Sequence, residues 1–94
     1  MIVVVFERAP DRLRGFLGRW LLEVSPTTYV GRVTQGVRRE IWALVKKHVG
    51  AGSAWMIYAC HSEQGFDIMA TGSNASRLDL FDGLALIRRH HRTK

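Results

Sequence analysis

The sequence predicts an α+β sandwich, with two helices packed on one face of a mainly antiparallel sheet, over 94 residues. Three observations carry that expectation. A β-branched and aromatic run opens the chain, and two separate stretches repeat apolar residues at three- and four-residue steps. Two β-prone segments then flank a polar loop, as the arms of a hairpin do. Strand and helix signals alternate first and a strand pair closes the series, which places both helices in one layer over one sheet.

Ile2, Val3, Val4, Val5 and Phe6 form the first strand, apolar on both sides as a central strand is. Glu7 and Arg8 stand where it ends, Pro10 stops it, and Asp11 is placed to cap a helix. Leu13, Phe16, Leu17, Trp20, Leu21 and Val24 make one stripe, which predicts a first helix closed by Pro26, with Arg12, Arg14 and Arg19 off the stripe. Residues 27–33 read as a short strand bent at Gly31. Thr34 caps a second helix with the stripe Val37, Ile41, Leu44, Val45 and His48, and Trp42 at its edge. Arg38, Arg39, Lys46 and Lys47 take its other faces, and Gly50-Ala51-Gly52 ends it. Residues 54–60 and 66–71 form the hairpin. Residues 78–87 are apolar, broken by Asp79, Asp82 and Gly83, and read as an added strand before a basic tail. The division expected is a core over 1–76 and a C-terminal strand with its tail over 77–94. A right-handed crossover after the first strand makes a ferredoxin-like arrangement the economical one.

Hydrophobic residues make up 47% of a chain long enough for one small domain, which is more than its own core requires. The sheet face without helices is therefore expected to meet a second copy, giving a homodimer. Fourteen Lys and Arg oppose eight Asp and Glu, and a net charge of +6 favours a polyanion such as duplex DNA. Cys60 is the single cysteine, so no disulfide forms within the chain, as suits a reducing cytoplasm. The opening lacks a basic segment and a small-residue cleavage site, and no apolar run reaches membrane-spanning length; a cytoplasmic protein without a membrane is expected.

Glu7 is the first candidate for chemistry, since ligands often bind at the C-terminal end of a strand in such layers. One carboxylate is a poor site for Mg²⁺, which takes oxygen ligands in an octahedron. Glu7 from each protomer across a dimer axis supplies a second ligand for Mg²⁺ or Mn²⁺. The plainer reading is a solvated strand-end carboxylate paired with Arg8 or Arg12. Glu63, Asp67, Asp79 and Asp82 are the other carboxylates near loops or strand ends, and Asp82-Gly83 is first of all a turn signal. The histidines have no ligand spacing for zinc, Cys60 has no activating neighbour, and no phosphate-cradling glycine loop is present. Arg12 and Arg14 in one first helical turn, and Arg38 and Arg39 in the other, are suited to phosphate oxygens, with Arg19 as a further contact. For any one of these arginines a solvated face is the ordinary alternative. No DNA-reading helix motif appears, so binding is expected through backbone and shape.

Several segments together resemble the CRISPR-associated protein 2 family, a subunit of the CRISPR adaptation machinery, in its type I-E branch. The opening MIVVVFERAPDRLRGFLGRWLLEV resembles that family's first strand and helix, and YVGRV with VRREIW its second strand and second helix start. GFDIMATGSN and DLFDGLALI resemble its later hairpin and terminal strand, so the likeness covers essentially the whole chain in order. The resemblance implies a ferredoxin-like homodimer that bridges two dimers of the CRISPR integrase, CRISPR-associated protein 1, along a protospacer duplex. It also implies that the C-terminal strand docks onto the partner assembly. Many members of the wider family are metal-dependent nucleases acting on RNA or DNA, with an Asp where this chain has Glu7, as the type I-E branch tends to. Glu63 and Asp82 match carboxylates considered with it, Arg12 and Arg14 match DNA-facing arginines, and Asn74 matches a further family position.

Three functions follow as alternatives. One is a non-catalytic subunit of spacer acquisition that binds the DNA backbone. Another is a Mg²⁺- or Mn²⁺-dependent endonuclease with Glu7 at the metal. The last is an RNA-binding or toxin-type module, which the aromatic spacing does not favour.

Overall fold

The computed structural model describes residues 1–61, 63 and 65–75. The expected strand at 78–87, the basic tail and Asp82 lie outside these described residues. Five strands and two helices follow in the order β1 (Ile2–Glu7), α1 (Asp11–Leu17), β2 (Leu22–Ser25), β3 (Thr28–Gly31), α2 (Gln35–His48), β4 (Ser53–Ala59) and β5 (Phe66–Gly72). The sheet runs β2-β3-β1-β4-β5, and every neighbouring pair is antiparallel. This is the ferredoxin-like order with β5 added beside β4. Among the described residues no helix is long and apolar enough to cross a membrane.

β1 sits at the centre because its side chains serve two faces. Ile2, Val4 and Phe6 are buried toward the helices, whereas Val3, Val5 and Glu7 point to the other side and are half-buried. The helix side closes over Leu13 and Leu17 of α1, Ile41, Trp42 and Val45 of α2, and Tyr29 of β3. Trp42 thus belongs to the core rather than to the edge of its stripe. The other face carries Leu22 and Val30, then Val3 and Val5, then Trp55 and Ile57, then Ile68 and Ala70, as the strand register dictates.

The first helix is shorter than its apolar stripe predicts. α1 has seven residues and stops at Leu17. Hydrogen bonds from Arg19 N to Phe16 O (3.2 Å) and Trp20 N to Leu17 O (3.0 Å) tighten the next turn. Leu21 still reaches the core, 6% exposed, so most of the stripe is buried as a helix would bury it. Val24 leaves it: Leu22–Ser25 is an edge strand that turns back through Pro26 and Thr27 into β3. Periodicity could not separate a helix from a tight turn that buries the same side chains. Asp11 does not cap α1 either. Pro10 holds the cap position with φ −69° and ψ 152°, and its carbonyl accepts from Leu13 N. α2 follows expectation, with the Thr34 hydroxyl accepting from Val37 N at 3.1 Å.

Two glycines permit close backbone packing at one end of the sheet. A Cβ at Gly52 would lie 2.5 Å from the carbonyl oxygens of Glu7 and Arg8. Gly72 has φ +107°, and a Cβ there would collide with the backbone of Gly52 and Ser53. Gly15, inside α1, has nothing within 4 Å of a built Cβ. Urea denaturation should therefore show Gly72→Ala losing about 2–4 kcal/mol, and Gly15→Ala gaining about 0.5–1 kcal/mol. A Gly72→Ala variant as stable as the parent would contradict this packing.

Candidate nucleic-acid interface and the Glu7 cluster

Glu7 ends β1 opposite Ser53, the first residue of β4, and Ser53 in turn lies opposite Gly72. The chain leaves β5 at Gly72 and turns back over these strand ends. Ser73 N donates to Gly52 O (3.2 Å), and the Ser73 hydroxyl donates to Ala51 O (3.0 Å). Asn74 N donates to the buried Ser53 Oγ at 2.6 Å. Trp55 Nε1 donates to Ala75 O at 3.2 Å. This stitching aims the Asn74 carboxamide at β1, where its Nδ2 donates to Glu7 Oε1 at 2.9 Å. A carboxylate only accepts, so the amide nitrogen must be the group that faces it.

The cluster Glu7–Ser53–Asn74 joins positions 46 and 67 residues apart from Glu7. Asn74 was visible in the sequence as a family position without a role, and in the structure its amide donates to Glu7. Ser53 had no signal, because nothing in the local pattern around it announces a partner 21 residues on.

Glu63 is not part of this cluster. It lies in the β4–β5 connection, at the far end of β4 from Ser53, about 20 Å away along the strand. Among the described residues no group of three or more His, Cys, Asp or Glu is placed to hold a metal ion. Within the Glu7–Ser53–Asn74 cluster the side-chain groups are one carboxylate, an amide already turned toward it and a hydroxyl that accepts from a backbone N–H. Mg²⁺ prefers one or more carboxylates with several waters in an octahedron, and this set from a single chain does not fit it.

The arginines divide into two groups. α1 starts beside the C-terminal end of β1, whereas α2 starts where β3 ends, next to Ile2 at the opposite end of the sheet. The helices therefore run in opposite senses. Arg12 and Arg14 lie at the Glu7 end, and Arg38 and Arg39 at the other, separated by most of the roughly 21 Å length of α2. Arg19, in the turn that abuts Gly31, belongs with the second group.

The arginines also differ in how far they are engaged. Arg12, Arg19 and Arg39 are exposed. Arg14 pairs with Asp11 (3.3 Å) and Glu23 (3.4 Å), and its carbonyl lies 3.5 Å from the Tyr29 hydroxyl. Its pKa stands above the ordinary arginine value, first through hydrogen bonding with Tyr29 and then through the charges around it, against desolvation. Arg38 lies over the Tyr58 ring, 4.1 Å from its centroid. Arg14 and Arg38 thus hold internal positions as well as charge.

No strand contains a Lys or Arg, so every described cation sits in a helix or a connection. The helix-free face is mainly aliphatic and aromatic, with Thr28 opposite Val5 and with Glu7 and Ser53 at one end.

The Glu7–Asn74 bond involves a charged acceptor in a part-buried setting, for which about 1–2 kcal/mol of coupling is expected. A double-mutant cycle of Glu7→Ala and Asn74→Ala, read by urea denaturation, measures it. Additive single losses would mean that the two side chains do not act together.

Comparison with protein families matches residues 1–86 to the family described as CRISPR-associated protein (Cas_Cas2CT1978). The match takes in every strand and helix described above, together with the Glu7 cluster and the helix arginines. With this cation-bearing helix layer, aliphatic opposite face and ferredoxin-like order, the chain belongs to that Cas2-like CRISPR-associated family, and its role is CRISPR-related.

Proposed function

We propose that this protein is a non-catalytic scaffold of CRISPR spacer acquisition, of the type I-E kind. Two copies join through the helix-free sheet faces, and the homodimer bridges two dimers of the CRISPR integrase. The helix layers then face the backbone of a protospacer duplex. The observation that carries this reading is the division of the molecule into two unlike surfaces. One face presents Val3, Val5, Val30 and Ile57 half-exposed, with Leu22 67% exposed at its edge. No described Lys or Arg belongs to a strand. A largely apolar face with its one carboxylate, Glu7, at the end suits a copy of itself, and a cationic layer suits phosphates.

One observation favours a second reading. Glu7 lies at the end of the same apolar face, so a face-to-face dimer is the arrangement able to bring two Glu7 side chains toward one ion. A Mg²⁺- or Mn²⁺-dependent endonuclease acting on RNA or duplex DNA would then use Glu7 from both protomers, and EDTA and Glu7→Ala would each abolish cleavage.

Spacer acquisition in cells separates the two. On the scaffold reading Glu7→Ala still acquires spacers, and the Arg12→Ala/Arg14→Ala double variant does not. Loss of acquisition by a Glu7→Ala protein that stays dimeric and DNA-bound would favour the enzyme. The arginines should also differ from each other. Arg12→Ala should reduce the salt slope of duplex binding by about one unit at unchanged stability. Arg14→Ala should lower the melting temperature as well, because its guanidinium joins α1 to β2.

A further inference from the structure

Arg8 has φ +62°, and among the described residues it is the one non-glycine in the left-handed region. That region suits Gly, Asn and Asp and disfavours an arginine. The strain is enforced by the packing around it, since Gly52 lies against the Arg8 carbonyl. A strained residue retained at a strand end beside a candidate site calls for a reason beyond the fold. The side chain itself is exposed, and no hydrogen bond or ion pair within the described residues engages it.

The same end of the molecule holds further cations without partners among the described residues. Arg12 is exposed in the first turn of α1. Lys46 and Lys47 are exposed in the last turn of α2, and four residues after the helix ends at His48 the chain meets the Arg8 backbone through Gly52. The ring of His48, next to them, lies 5.2 Å from that of Phe16, so the end of α2 packs against α1 one turn on from Arg12. The carboxylates nearby are already occupied: Asp11 faces Arg14, and Glu7 accepts from Asn74.

We infer that Arg8, Lys46 and Lys47, together with Arg12, form a phosphate grip at the Glu7 end of the protein that holds the sugar–phosphate backbone of duplex DNA. The inference rests on the DNA-binding reading above and adds three contacts to it. Packed helix axes lie roughly 8–10 Å apart, a width that about three phosphates of one strand cover at 3.4 Å rise per step. Arg8 supplies a planar fork for a phosphate, whereas the two lysines act as point charges beside it.

Fluorescence anisotropy titrations of the full chain with a labelled duplex oligonucleotide, over a salt series, test this. The variants are Arg8→Gly, Lys46→Gln/Lys47→Gln, and Arg32→Gln as a charge control from the opposite end of the sheet. Arg8→Gly should weaken binding and lower the salt slope by about one unit, and the lysine pair should lower it by about two. Its melting temperature should be no lower than the parent's, because glycine accepts φ +62° without strain. Arg8→Asn, which also tolerates that conformation, serves should the glycine variant fold poorly. Arg8→Lys should restore the slope. A slope unchanged in Arg8→Gly, or lowered no more than in Arg32→Gln, overturns the grip while the DNA reading stands. A parent protein that does not bind the duplex at all overturns both.

Discussion

Three chain segments meet at the C-terminal end of β1 because two glycines let them touch. Gly52 brings the start of β4 against the carbonyls of Glu7 and Arg8, and Gly72 brings the end of β5 against Gly52. Side chains at either position would push the strands apart by a distance that backbone cannot absorb cheaply. Once the contact is made, Ser53 captures Asn74 N, Asn74 captures Glu7, and Arg8 is forced into the left-handed region. The position of the carboxylate, the strain at Arg8 and the path of residues 73–75 are therefore consequences of one packing event.

The charge distribution follows from the topology rather than from any single motif. A ferredoxin-like sheet has one face under helices and one without. Here the strands devote both faces to apolar contact, so the cations have nowhere to go but the helices and connections. Among the described residues the Lys and Arg are thus carried by the helices and connections, where they are available to a polyanion, while the helix-free sheet face carries exposed apolar area. Not every cation counts toward a phosphate surface. Arg14 is held between Asp11 and Glu23, and Arg38 rests on Tyr58, so part of the positive charge maintains the fold.

How much of this was legible depended on the range over which each signal acts. The central strand, the capped second helix and the β4–β5 hairpin were readable because each is announced by neighbours a few residues apart. β2 was missed because Leu17, Trp20 and Leu21 bury themselves at helical spacing even where the hydrogen bonds tighten to a turn. The site was half visible. Glu7 stood out as a strand-end carboxylate, and the likeness to the family drew notice to Asn74. Ser53, the glycine contacts and the opposed helix directions depend on pairings across dozens of residues, which no local pattern encodes. For the same reason the five arginines looked alike in sequence and proved unlike in the fold.

Electrostatics at the Glu7 end bears on what that carboxylate does. A divalent cation there would meet a like-charged neighbourhood, since Arg8 is next in sequence and both Arg12 in the first turn of α1 and the lysines at the end of α2 lie at the same end of the molecule. Like charges gathered at one end of the molecule oppose a cation there, the exposed ones only through solvent screening. Bringing two Glu7 carboxylates together across a dimer axis adds one negative charge and also adds the second copy's Arg8. The charge available to an ion therefore grows more slowly than the number of carboxylates. A phosphate backbone meets the opposite situation: it is drawn to the same cations, and Asn74 keeps Glu7 turned to a hydrogen-bond donor within the protein. The local field thus suits an anion better than a cation, and the hydrogen bond from Asn74 ties the carboxylate into the junction of β1, β4 and the 73–75 turn.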